Sequence, residues 1–136
     1  MTTHTLPAVP HEVLAKLRAI CLALPEVVEE SAWTGIRWSV RKKNFAHVLM
    51  IDGGEPAAYA RAAGRAGPAC VLTFRLPRGK LDAAGFHHDP YFRPVWFPNI
   101  AGRVVDERID WDEVEQLLID SYGVLAPKKL AAMVDR

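Results

Sequence analysis

Cysteine is scarce in this chain. Its 136 residues include only Cys21 and Cys70, and neither belongs to a C-x-x-C pair. Each sits in an apolar pattern, which reads as a reduced, buried thiol rather than part of a disulfide framework or a zinc site. Long hydrophobic runs are also lacking. The longest, Phe45 to Ile51, is far shorter than the ~20 residues that a membrane-spanning helix needs. The segment Met1 to Thr5 has neither a basic stretch nor an apolar one, so it does not read as a secretory signal. Cytoplasmic residence without a membrane partner is the expectation.

The chemical motifs that mark many enzymes are missing too. No H-x-x-x-H, H-E-x-x-H, Walker loop or strand-following G-x-G-x-x-G occurs. His87-His88-Asp89 invites a metal, but neighbours on an extended chain point to opposite sides and rarely reach one ion. Glu26, Glu29 and Glu30 form an acidic cluster with no identifiable nucleophile or base beside it. His47 lies inside the most apolar run and reads as a core or half-buried histidine. The expectation is a protein that is not an enzyme and has no cofactor, no metal and no catalytic residues.

What is present is an uneven charge distribution. The net charge is +1, yet residues 33–80 hold Arg37, Arg41, Lys42, Lys43, Arg61, Arg65, Arg75, Arg78 and Lys80 against only Asp52 and Glu55. The flanking thirds of the chain are acidic. Such asymmetry points to a polyanion-binding surface. The length fits one domain spanning 1–136, able to bury a core without staples.

Hydrophobic spacing supplies the elements. Val13, Leu14, Leu17, Ile20, Cys21 and Leu24 recur at helical intervals, with Pro10 in the first turn and Pro25 as the stop. Residues 26–35 read as a connection. Ile36, Trp38 and Val40 alternate with polar residues, predicting a strand over 36–41, followed by a turn at 41–44 and a strand at 45–51. Residues 53–69, rich in Gly, Ala and Pro, predict a long surface loop with one helical turn near Ala57–Ala63. Strands are expected at 71–76 and 102–109, a short helix at 80–84, and loop or edge strand at 86–98. Asp110 with Glu113 marks a helix start. That helix should run to 122 and end at Gly123, and a last helix should cover 128–134. Strands joined by short turns and helices at both ends predict an α+β, two-layer domain: an antiparallel sheet with helices on one face.

These segments, in this order, resemble the MmcQ/YjbR family. The carriers are Cys21 to Val27 with Glu30, then Trp33 with Ile36 to Val40, Lys43 to Ala46, and Lys80-Leu81 with Phe86. The closing ones are Ile109 to Val114, Leu117-Leu118, Ser121-Tyr122 and Ala126 to Leu130. The resemblance runs from about residue 12 to residue 134. It implies a frataxin-like or secretion-chaperone-like arrangement of sheet and helices, and DNA binding as the function, with no agreed catalytic residues. The Gly/Ala stretch at 53–69 and His87 to Pro90 depart from many members.

The nucleic-acid candidates are Arg37, Arg41, Lys42, Lys43, Arg75, Arg78 and Lys80, which would contact phosphates with weak sequence preference. The competing structural reading is a solvated sheet face, salt-bridged to the acidic C-terminal helix. The aromatic candidates for a small-molecule or protein-partner surface are Trp33, Tyr91, Phe92 and Trp96, centred on 86–98. Trp38, beside Ile36 and Val40, reads as core. Oligomeric state is left open.

Overall fold

The computed structural model describes residues 6–80, 83–96 and 98–134. Six antiparallel strands form one sheet in the order β1-β2-β3-β4-β6-β5. They are β1 (Val27–Ser31), β2 (Ile36–Val40), β3 (Lys43–Ile51), β4 (Ala69–Arg75), β5 (Tyr91–Phe92) and β6 (Ile100–Val105). The helices are α1 (His11–Cys21), α2 (Ala57–Ala63), α3 (Trp111–Leu125) and α4 (Lys128–Ala131).

Strand alternation sorts the side chains. Trp38, Ala46, Val48, Leu72, Phe74 and Ala101 share one face and pack with Leu17 and Cys21 of α1 and Val114, Leu118 and Tyr122 of α3. Asp110 caps α3 by accepting from the N–H groups of Asp112 (3.0 Å) and Glu113 (3.3 Å), satisfying donors that a helix start leaves open. The helix passes through Gly123 to Leu125, because the first real obstacle is Pro127. At the other end of the chain, α1 stops at Cys21 rather than Leu24. Leu22 caps it, and a turn closed by Leu24 N–H to Cys21 C=O leads into Pro25.

The opposite face carries Leu49, Ile51, Val71, Phe92 and Val104, covered by Tyr59, Ala60, Ala62 and Ala63 of α2. The two long helices thus lie on the expected side, while short α2 occupies the other. The segment 53–69 is accordingly more than a surface loop. Small alanines let α2 sit close to the sheet, and Gly64 in the left-handed region ends it. Asp89 anchors this arrangement, holding Arg65 and Arg108 at 2.7 Å each.

Residues 26–35, expected to be a connection, contain the edge strand β1. Its alternation is masked because Glu29 faces the core side, where it accepts from Arg18 Nε and Trp38 Nε1 at 3.0 Å each. Gly35 (φ +74°) follows, since a Cβ there would fall 1.9 Å from the Val48 carbonyl oxygen. The β2–β3 turn is tighter than expected. Only Arg41 (φ +50°) and Lys42 (φ +66°) lie outside the strands, the two positive φ values of a type I′ hairpin. Lys43 and Asn44 already belong to β3. β6 spans 100–105 instead of 102–109, and Arg108 bound to Asp106 shapes the following connection. The expected helix at 80–84 falls partly on residues 81–82, outside those described; single 3₁₀ turns occupy 78–80 and 84–87.

Candidate nucleic-acid interface and adjoining pocket

Antiparallel pairing sets the start of β3 beside the end of β4, with Ala46 opposite Phe74. The Arg41-Lys42 tip and the Arg78–Lys80 turn therefore emerge at the same end of the sheet. Ser121 of α3 reaches both strands there. Its buried hydroxyl donates to the Phe45 carbonyl (2.6 Å) and accepts from the Arg75 N–H (2.8 Å). Tyr122 donates to the Pro25 carbonyl at 2.8 Å. The end of α3, and α4 after it, is thus fixed at this end as well. Lys128 and Lys129 join the basic group.

Some of these charges are already paired. Arg41 meets Glu26 through two bonds, at 2.7 and 3.1 Å, and holds that carboxyl below its ordinary pKa. Lys80 lies 3.4 Å from Asp120. The Arg41–Glu26 pair is half exposed on both sides, and Lys80 is half exposed against a more buried Asp120; exposed pairs contribute only about 0–1 kcal/mol, so a phosphate can compete for Arg41 and Lys80. Lys42, Lys43, Arg78, Lys128 and Lys129 are exposed and make no ion pair among the described residues.

Two of the seven expected nucleic-acid residues stand apart. Arg37 is further along β2, opposite His47 on the α2 side of the sheet, and 3.7 Å from Glu30. Arg75 is half-buried on that same side, donating to Asn44 O (3.3 Å) and Asn99 Oδ1 (3.4 Å). Loss of solvent lowers its pKa, although a guanidinium stays charged at any working pH.

Arg75 lines a pocket of about 180 Å³ on the part of this face that α2 leaves uncovered. Asn44, His47, Thr73, Tyr59 and Trp96 share it. His47 Nε2 is 2.6 Å from the Thr34 carbonyl oxygen, which can only accept, so Nε2 carries the proton and Nδ1 is a bare acceptor. Burial lowers the His47 pKa, and nearby Arg37 adds to that, against an opposing contribution from the Thr34 bond; the ring is neutral near pH 7. Asn44 Oδ1 is buried without a hydrogen-bond partner among the described residues. Tyr59 and Trp96 meet edge to face, with centroids 5.1 Å apart.

The aromatic candidates do not form one surface. Trp96 lines the pocket, while Trp33 is 74% exposed beside a separate, mostly apolar depression bordered by Leu6 to Val9. Phe92 is buried in the core beneath α2. Tyr91 points to the other face. There it packs on Phe86 and under Arg103 and donates to Glu113. Phe97 lies outside the described residues.

The YjbR family model matches residues 22–124. The chain belongs to the YjbR family. No curated protein gives a significant match. The matched span takes in the whole sheet and most of α3, hence the β2–β3 tip, the Arg78–Lys80 turn and the pocket. Lys128 and Lys129 fall just beyond it. The basic residues that sequence reasoning misses are those two lysines, which lie in an otherwise acidic C-terminal stretch. The pocket had a signal as well: Thr73 and Arg75 are polar at alternate positions of an apolar strand, and His47 interrupts its neighbour.

Proposed function

We propose that this YjbR-family chain is a non-catalytic nucleic-acid-binding protein that contacts phosphates with the basic end of its sheet. The observation that carries the reading is the meeting there of Lys42, Lys43, Arg78, Lys128 and Lys129, brought from three separate stretches of sequence and without ion-pair partners among the described residues. Arg41 and Lys80 flank them. Rows of ammonium and guanidinium groups bind a phosphate backbone by charge and counterion release, with little demand on base sequence. The thiols support a binding role over nucleophilic chemistry. Burial raises both, Cys70 to about 12, which leaves negligible thiolate near neutral pH.

The test is a salt series with duplex DNA. Four to six phosphate contacts give a log–log slope of roughly −4 to −5. Replacing Lys42 and Lys43 together by Ala should flatten that slope by about 2 and weaken unrelated sequences alike. Failure of the wild-type protein to bind duplex or single-stranded DNA at low salt would end the reading.

A further inference from the structure

The pocket beside the basic end is chemically unlike it. Its cationic member is Arg75, and neutral polar side chains of Asn44, His47 and Thr73 complete the polar lining. Asn44 Oδ1 is buried and has no hydrogen-bond partner among the described residues, and His47 Nδ1 keeps its lone pair because Nε2 donates to Thr34. A buried acceptor left without a donor costs free energy that a ligand N–H can recover. An anion such as phosphate or a simple carboxylate brings only acceptors, so it would suit Arg75 but face the two acceptors unfavourably. A ligand with N–H donors and an adjoining carbonyl suits all three groups.

Size and walls narrow the choice. About 180 Å³ is well below the roughly 300–1,000 Å³ of pockets for drug-sized molecules. The walls are the rings of Tyr59 and half-exposed Trp96, surfaces on which a flat ring can stack. Trp96 sits at the rim, and Tyr59 comes from α2, which roofs the neighbouring half of the same face.

We propose that this pocket binds a single nucleobase, its edge of N–H and C=O groups meeting Asn44, His47 and Arg75 and its ring lying against Tyr59 and Trp96. A base displaced from a single strand, or one at a strand end, would enter beside the phosphate-binding end. The site is distinct from the phosphate contacts and is separable from them, because a nucleoside carries no phosphate.

The experiment is an amide-resolved NMR titration of the intact chain with adenosine, guanosine, cytidine and thymidine, and separately with benzoate and inorganic phosphate. At least one nucleoside should give saturable shifts at the amides of Asn44, His47 and Thr73 and at the Trp96 indole N–H. That binding should be the same at low and physiological salt. Trp96→Ala and Asn44→Ala should each weaken it by about tenfold or more, in line with the loss of one stacking face or one buried bond. Trp96 is half-exposed, so its replacement leaves the fold intact, as the dispersion of the same spectra will report. The proposal is overturned if none of the four nucleosides shifts these resonances. Benzoate binding in their place, or nucleoside affinity that survives both replacements, would overturn it equally. Duplex binding that persists while nucleosides fail would remove the pocket and leave the phosphate contact standing; the reverse result would do the opposite.

Discussion

Replacing Ser121 by Ala tests the join between α3 and the sheet. The hydroxyl is fully buried and serves two strands at once, donating to the Phe45 carbonyl at 2.6 Å and accepting from the Arg75 N–H at 2.8 Å. Alanine leaves both backbone groups buried and unpaired, each at about 1–3 kcal/mol. Some relaxation is inevitable, so the expected loss is about 2–4 kcal/mol. For a chain of this size the urea m-value is about 1–3 kcal/mol/M, so the unfolding midpoint should fall by about 1–2 M with the slope unchanged. Ser121→Cys, keeping a weak donor and acceptor, should fall between. A midpoint shift below about 0.3 M for Ser121→Ala would show that the two strands find other partners, and that this hydroxyl does not hold α3 to the sheet.

Gly102→Ala should destabilise by about 1–3 kcal/mol, because a Cβ there would fall 2.2–2.6 Å from ring atoms of Phe92; thermal unfolding measures it, and Phe92→Leu in the same chain should restore part of the loss. Asp89 is held down to about pKa 2 by Arg108 and Arg65. Its folded value is therefore below its unfolded value of about 3.9. The stability it contributes is complete above about pH 5 and is lost as the pH falls through about 2. Denaturation series should accordingly show Asp89→Asn less stable than wild type at neutral pH, with the difference closing below about pH 2. Lys42→Gly should raise stability by about 0.5–1 kcal/mol, since Lys42 sits at φ +66°, while flattening the DNA salt slope by about 1; a melting curve and a binding series separate the two effects.

The period-2 stretches around Ile36 to Val40 and Val71 to Leu76, the α1 stripe and the Asp110 cap were legible because each is a local pattern repeated over several residues. β1 was hidden because its core-side Glu29 breaks the apolar alternation, and only Arg18 and Trp38, distant in sequence, make that placement tolerable. α2 showed as one helical turn, but its seat on the sheet depends on small residues whose value appears only once the facing strands are known. The basic candidates Lys42, Lys43 and Arg78 were visible as a charge run. That Arg37 and Arg75 leave the group, and that Lys128 and Lys129 join it, follows from strand direction and the course of α3, neither of which composition encodes. The pocket needs three strands and α2 to exist at all.

The sheet ends on two unlike borders, and both resist growth. β5 is two residues long and gives an incoming strand almost no ladder to extend. β1 is longer but carries Glu29 and Glu30 and is bound laterally to Arg18 and Arg37 by their side chains. Short borders and charged borders are among the ways in which open sheets avoid recruiting a neighbour's strand. An incoming strand therefore finds little backbone ladder to join at either border.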